Sequence, residues 1–332
     1  MTETITKTSA RFPKHAQRNI LSLNKPGRPI SKSLTAISNL FLGFQSIYTQ
    51  CFHDAGHSSV ATLAIRANSK PESACRSYPP RATLKGRMLS PLATGISIGL
   101  GAAASLGLAA GGCAYAALWP ASQLFGPTLI APARPGELAL TFDDGPNPAW
   151  TPRLLDILAG HGVHATFFLL GKYAQAEPAL VRQIAAAGHL IGNHSWSHPN
   201  LALTSSSRIE EELASTSLEL EQIASVPIRY FRPPFGARRP EVLRAARRLG
   251  MVPVLWNAMT SDWKNPSADA IASRLIRAID RLQRRGQAAN IVLHDGSQLD
   301  PAASRAPSVA AAGQLIARYR QARRFVTVSA WA

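Results

Sequence analysis

Cysteine is scarce. Of 332 residues only Cys51, Cys75 and Cys113 are cysteine, and none follows Cys113. The C-terminal two-thirds therefore has neither a disulfide framework nor a cysteine zinc site, and any metal bound there must be held by histidine and carboxylate. Acidic residues are also few, 19 against 36 Lys and Arg, for a formal charge of +17. That imbalance is uneven: residues 1–87 carry 13 basic and 3 acidic residues, the remainder 23 and 16. A charge gathered into one N-terminal stretch does not read as a nucleic-acid partner. It stays compatible with an anionic surface such as a membrane or a cell-wall polymer. The length allows one large domain of barrel size plus extra segments.

Residues 1–87 also lack hydrophobic periodicity and are expected to be a basic, disordered extension. They are either a cytoplasmic tail or a stretch upstream of a true start at Met88. From Leu92 to Trp119 there is no charged residue, and Arg81, Lys85 and Arg87 lie just before. A run of that length can cross a bilayer with its N-terminus inside. Residues 88–119 are thus expected to be a transmembrane or signal-anchor helix, attaching the chain to a membrane and placing the residues beyond it outside the cytoplasm. A cleaved signal peptide, with secretion, and a buried Ala-rich core helix are the alternatives. Residues 120–135 read as a Pro-rich linker, and the domain proper is expected from Gly136.

From there apolar runs and amphipathic segments alternate. Strands are predicted at Glu137–Phe142, Ala165–Leu170, His189–Gly192, Ile228–Phe231, Val252–Trp256, Asn290–His294 and Phe325–Val328. Helices are predicted near 150–160, 177–187, 207–224, 239–249, 267–285 and 305–321. Such alternation implies an α/β fold with a parallel sheet. A deformed (β/α) barrel of about seven parallel strands fits slightly better than an open sheet.

Residues with chemical potential cluster at the predicted strand ends. Asp143-Asp144, His194, Arg232, Asp262 and His294 each end or follow a strand, the face where parallel α/β barrels build their sites. Adjacent carboxylates at the end of an apolar strand repel one another, and a metal ion would offset that, with one Asp as ligand and the other as base. His194 and His198, four residues apart, are expected to share one side of a helical turn. With one Asp they make an N/N/O set that leaves positions open, as catalytic metal sites do. The two prolines in Arg232-Pro233-Pro234-Phe235-Gly236 stiffen the backbone, so the Phe235 N–H suits an oxyanion donor. Arg232 can pair with a carboxylate. Asp262-Trp263 offers a carboxylate and an aromatic wall for a sugar ring, and His294 a general acid.

In order and spacing, Thr141–Pro146, His194/His198, Arg232–Gly236, Asp262-Trp263 and Leu293-His294-Asp295 resemble the five motifs of the polysaccharide deacetylases (carbohydrate esterase family 4, NodB-homology domain). The resemblance covers roughly residues 136–330. It implies a metal-dependent hydrolase that removes acetyl from N-acetylglucosamine units on a deformed β/α barrel. It also implies Asp143 as general base, Asp144, His194 and His198 as metal ligands, and Arg232 as tether of Asp143. His294 would be the general acid oriented by Asp262, the Phe235 N–H an oxyanion donor, and Trp263 a wall of the acetyl pocket. The family usually has Tyr where Phe235 stands. At position 164, where Lys or Arg is expected, this chain has His, which would leave Asp143 leaning more on Arg232.

The substrate is thus expected to be peptidoglycan or a chitin-like exported polysaccharide, and the protein a monomer. One divalent ion is expected, zinc first, with Co2+ or another as alternative. Competing readings are an O-acetyl esterase acting on a polymer such as acetylxylan and a glycan-binding protein without catalysis. An iron oxygenase would leave Asp143 and His294 unexplained.

Overall fold

The structure, a computed structural model, describes residues 111–332. The basic extension at 1–87 and most of the expected anchor lie outside the described residues. Among the described residues no helix is long and apolar enough to cross a membrane.

Eight strands form one parallel sheet: β1 (Glu137–Gly145), β2 (Thr166–Leu169), β3 (Leu190–Asn193), β4 (Tyr230–Phe231), β5 (Val252–Pro253), β6 (Ala258–Met259), β7 (Ala289–His294) and β8 (Arg324–Phe325). Their order is β5-β4-β3-β2-β1-β7-β6, with β8 added to the start of β1. Seven helices connect them: α1 (Thr151–Gly160), α2 (Gly171–Ala176), α3 (Pro178–Ala186), α4 (Ser206–Ala224), α5 (Pro240–Arg248), α6 (Ala268–Arg284) and α7 (Ala306–Tyr319). The two sheet edges, β5 and β6, are consecutive in the chain, so the short segment between them must pass from one edge to the other. At about 3.3 Å per residue it spans little distance, so the sheet must curl, bringing its two unpaired edges towards one another in a deformed half-barrel.

All seven predicted strands are present, and β6 is the one not foreseen. Val252–Trp256 reads as a single strand, but pairing with β4 stops at Pro253, and the chain then crosses to pair with β7 through Ala258 and Met259. The short helix α2 was likewise not foreseen. The residues before Gly136 are fastened to the barrel: Leu129 bridges to Val254, and the Ala288 N–H donates to the Pro132 carbonyl.

The two-residue period of a strand explains how β1 serves two layers. Leu138, Leu140 and Phe142 are fully buried in the core against the helices, while Ala139 belongs to a smaller cluster with Phe168, Tyr230 and Val254. On that alternation Thr141 and Asp143 share the inner face with Ala139. Burial on both faces is why β1 reads as a nearly continuous apolar run.

Candidate active site and metal centre

The site begins with a bulge. Asp143 pairs with Phe168 and Gly145 with Leu169, so Asp144 is an extra residue on β1. It takes a left-handed conformation, φ 69°, which Asp tolerates better than most residues. A regular strand would turn consecutive side chains to opposite faces; the bulge lets both carboxylates reach the barrel mouth. A neighbouring loop supports them from below. A Cβ on Gly296 would lie 2.0 Å from the Asp144 carbonyl oxygen, so only glycine fits there.

Asp144 Oδ1 lies 3.4 Å from His194 Nε2 and 3.2 Å from His198 Nε2. Those spacings match neighbouring corners of a tetrahedron with metal–ligand bonds of about 2 Å. Asp144 Oδ1 is buried without a hydrogen-bond partner, the state expected of an atom whose partner is a cation. His194 Nδ1 is bonded to the Arg232 carbonyl at 2.8 Å; since a carbonyl only accepts, Nδ1 carries the hydrogen and Nε2 is left to bind. Burial, reinforced by the other histidines and opposed by Asp144, pushes His198 down to about 4, so its ring is neutral at pH 7 as a ligand must be. Asp144 is held well below the usual carboxylate range: burial opposes this, but His198 and His194 outweigh it. The three residues therefore fit one divalent ion.

The histidines do not converge by a helical turn, as their spacing suggested. Residues 194–200 form a loop in which Ser195 and His198 are both left-handed, φ 69° and 62°. The Ser195 N–H donates to Asn193 Oδ1 at 2.8 Å, and the His198 N–H donates to Ser195 Oγ at 3.1 Å. Side chains acting on the backbone replace the helix ladder here.

Arg232 is fully buried. Its Nη1 donates to Asp143 Oδ1 at 2.8 Å and to Thr141 Oγ1 at 2.6 Å; Nη2 reaches Asn290 Oδ1 at 3.4 Å. The guanidinium stacks on Phe168, 4.1 Å from the ring centroid. Beyond it the chain turns through Phe235, φ 58°, whose ring meets His198 at 4.5 Å between centroids. Gly236, φ 67°, passes so close to Trp256 that a Cβ would lie 2.8 Å from the indole.

On the opposite side, His294 Nδ1 bonds to Asp262 Oδ1 at 2.9 Å, and its N–H donates to Asp262 Oδ2 at 2.8 Å. The Ser308 hydroxyl also donates to Asp262 Oδ2 at 2.8 Å. Burial alone would lower the His294 pKa. The Asp262 charge and hydrogen bond outweigh it, helped by Asp144 and Asp143, and raise it to about 9. Trp263 is partly exposed and packs edge-on to His294 at 5.3 Å. Asp262 follows β6, so the strand that the sequence reading missed is the one that delivers it.

All nine expected residues therefore converge at one mouth. His164 does not join them: it lies exposed before β2, at the end of the sheet away from the mouth, with its ring 5.8 Å from His189. It bears on Asp143 in no way, because a strand's length separates them. Thr141, Asn290, Ser308 and Glu212 support the site, and the sequence reading gave none of them a part in it. Their signal there is weak, since each is a common polar residue whose partner lies far along the chain.

Residues 131–254 match the sequence profile described as polysaccharide deacetylase. A chitooligosaccharide deacetylase of Sinorhizobium fredii is 36% identical over 183 residues, covering 53% of this chain and 82% of the relative. This chain belongs to the polysaccharide deacetylase family. A peptidoglycan-N-acetylglucosamine deacetylase of Bacillus cereus is 41% identical over 145 residues, covering 44% of the chain but only 53% of that protein. Among solved structures, a peptidoglycan N-acetylglucosamine deacetylase aligns with TM-score 0.54 and 35% identity, over 60% of this chain and 90% of the other. A variant of a CE4 family pseudoenzyme with restored enzymatic activity aligns with TM-score 0.52 and 30% identity, over 59% and 67%. The deacetylases of this family are hydrolases acting on N-acetyl amide bonds, and this chain has the family's half-barrel of parallel strands.

Proposed function

We propose that this deacetylase removes N-acetyl groups from N-acetylglucosamine units of a cell-envelope or exported polysaccharide, peptidoglycan or chitin-like, using one divalent ion. The carrying observation is the meeting of Asp144 Oδ1, His194 Nε2 and His198 Nε2 around an oxygen with no other partner. It stands beside a second carboxylate that Arg232 holds. The relatives' names, which pair peptidoglycan and chitooligosaccharides with this fold, support the substrate class.

A divalent ion on those three residues would polarise the amide carbonyl and make a water molecule acidic near neutrality. In our reading Asp143 accepts the attacking water's proton, with Arg232 and Thr141 fixing which oxygen is free to do so. The Phe235 N–H, presented by a backbone turn stiffened by Pro233 and Pro234, donates to the oxyanion as it forms. His294 carries the proton needed by the departing amine, and Asp262 keeps it oriented and charged. Trp263, beside His294, walls the acetyl pocket. Acetate and a free glucosamine leave. Zinc is the ion we propose, since two imidazoles and a carboxylate suit it. We also propose that the apolar run beginning at residue 92 anchors the protein, as a monomer, with this domain outside the cytoplasm. The expected end of that anchor at Trp119 is too late, since Ala116, Ala117 and Leu118 are buried in the domain and Arg238 holds the carbonyls of Ala117 and Trp119.

The test is acetate release by the full chain, supplied with zinc, from peptidoglycan, chitin oligomers and acetylxylan side by side. Release from the first two supports N-deacetylation, and release from acetylxylan alone replaces it with ester hydrolysis. A zinc-loaded chain that liberates no acetate from any polymer is a binding protein.

A further inference from the structure

We infer that Glu212, on α4 and outside every motif, is a positioning residue that sets the loop carrying His194 and His198 and so tunes metal affinity. The inference rests on the metal reading proposed above. Glu212 is only 1% exposed, a costly place for a carboxylate unless its oxygens are satisfied. They are satisfied almost wholly by the segment between the two histidines. Glu212 Oε2 accepts the N–H groups of Trp196 and Ser197, both at 2.8 Å. Oε1 accepts the Ser197 hydroxyl at 2.7 Å and the Arg208 guanidinium at 2.7 Å.

The other side of the loop is gripped as well. The first N–H groups of α2, from Gly171 and Lys172, donate to the carbonyls of Ser195 and Trp196 at 3.1 and 3.2 Å. Trp196 lies so close over Gly171 that a Cβ there would come within 2.3 Å of its ring. Residues 195–197 are thus clamped through their carbonyls by α2 and through their N–H groups by Glu212. Ser195 and His198 are left-handed, a strained conformation that such residues keep only where the surroundings impose it. Glu212 is the anionic half of that imposition. It touches neither substrate nor ligand atoms; its effect passes through the backbone to His198.

The test compares zinc affinity, by chelator competition, with the melting temperature of the metal-free full chain. Glu212→Ala is expected to bind zinc at least about ten-fold more weakly, the usual loss when support behind a ligand is removed. Glu212→Gln keeps an acceptor for the two N–H groups and should lose only about five-fold. A folded Glu212→Ala chain with unchanged zinc affinity overturns the inference even if it melts lower, because that pattern marks a residue that only stabilises. Should Glu212→Ala not fold, Glu212→Gln and Ser197→Ala decide: each weakens zinc about five-fold if the clamp tunes the site, and unchanged affinity in both overturns it. An unmodified chain that binds no zinc is a separate result, sinking the metal reading and this inference together.

Discussion

Arg232 Nη1 sits 2.8 Å from Asp143 Oδ1, joining residues 89 apart in sequence, and neither side chain is more than 4% exposed. A buried pair of this kind adds little net stability, but removing one partner strands the other charge. Arg232→Met should therefore cost about 3–5 kcal/mol, while Asp143→Asn with Arg232→Met should cost less than the two changes summed. Denaturant unfolding of the four proteins checks this, and simple additivity would contradict it.

Proton acceptance and metal binding are assigned to different residues, so they should separate. Asp143→Asn is expected to lower turnover by about 10²–10⁴-fold while zinc content stays near that of the unmodified chain. His198→Ala should lose zinc and activity together. Metal analysis beside acetate release tests both, and full zinc content in active His198→Ala would refute the ligand assignment.

His294 has a pKa raised to about 9. As the proton donor it must be charged, so kcat/KM should fall as pH rises through its pKa. Asp262→Asn removes the charge that holds this value up, leaving burial to lower it, so the alkaline limb should move down by more than about one pH unit. Stability carries the same sign. The raised pKa makes a stabilising contribution in the metal-free chain, full below about 6.5 and lost as pH rises through about 9. Chemical unfolding from pH 6 to 10 should show that decline in the unmodified chain and a smaller one in His294→Gln.

Arg238 is 1% exposed and donates to the carbonyls of Trp119 and Ser122, at 2.6 and 2.9 Å, and of Gly236 at 3.0 Å. Its own N–H donates to the Ala117 carbonyl at 3.0 Å. It thereby ties the segment before the barrel to the loop that contains Phe235. Deleting residues 1–120 should lower the melting temperature and slow turnover, since it strips two of these acceptors. Arg238→Met in the full chain should lower the melting temperature in the same direction. Differential scanning calorimetry decides, and a truncated chain as stable as the whole would remove Arg238 from this account.

The alternation of strands and helices, the burial of β1 and the set of residues that gather at the barrel mouth were legible in the sequence, apart from β6 and α2. Hydrophobic periodicity is local, and a parallel barrel presents its strand ends on one face, so Asp143, Asp144, His194, Arg232, Asp262 and His294 could be placed at one mouth without coordinates. Tertiary structure alone decided how they meet. The extra residue in β1 that turns both carboxylates inward, the left-handed Ser195 and His198, the step from β5 to β6 and the exile of His164 have no periodic signature. Each depends on hydrogen bonds or close approaches from residues far along the chain, such as Glu212 behind the histidine loop and Gly296 against Asp144. Local pattern names the groups; long-range contacts fix their directions, and chemistry at a metal depends on direction.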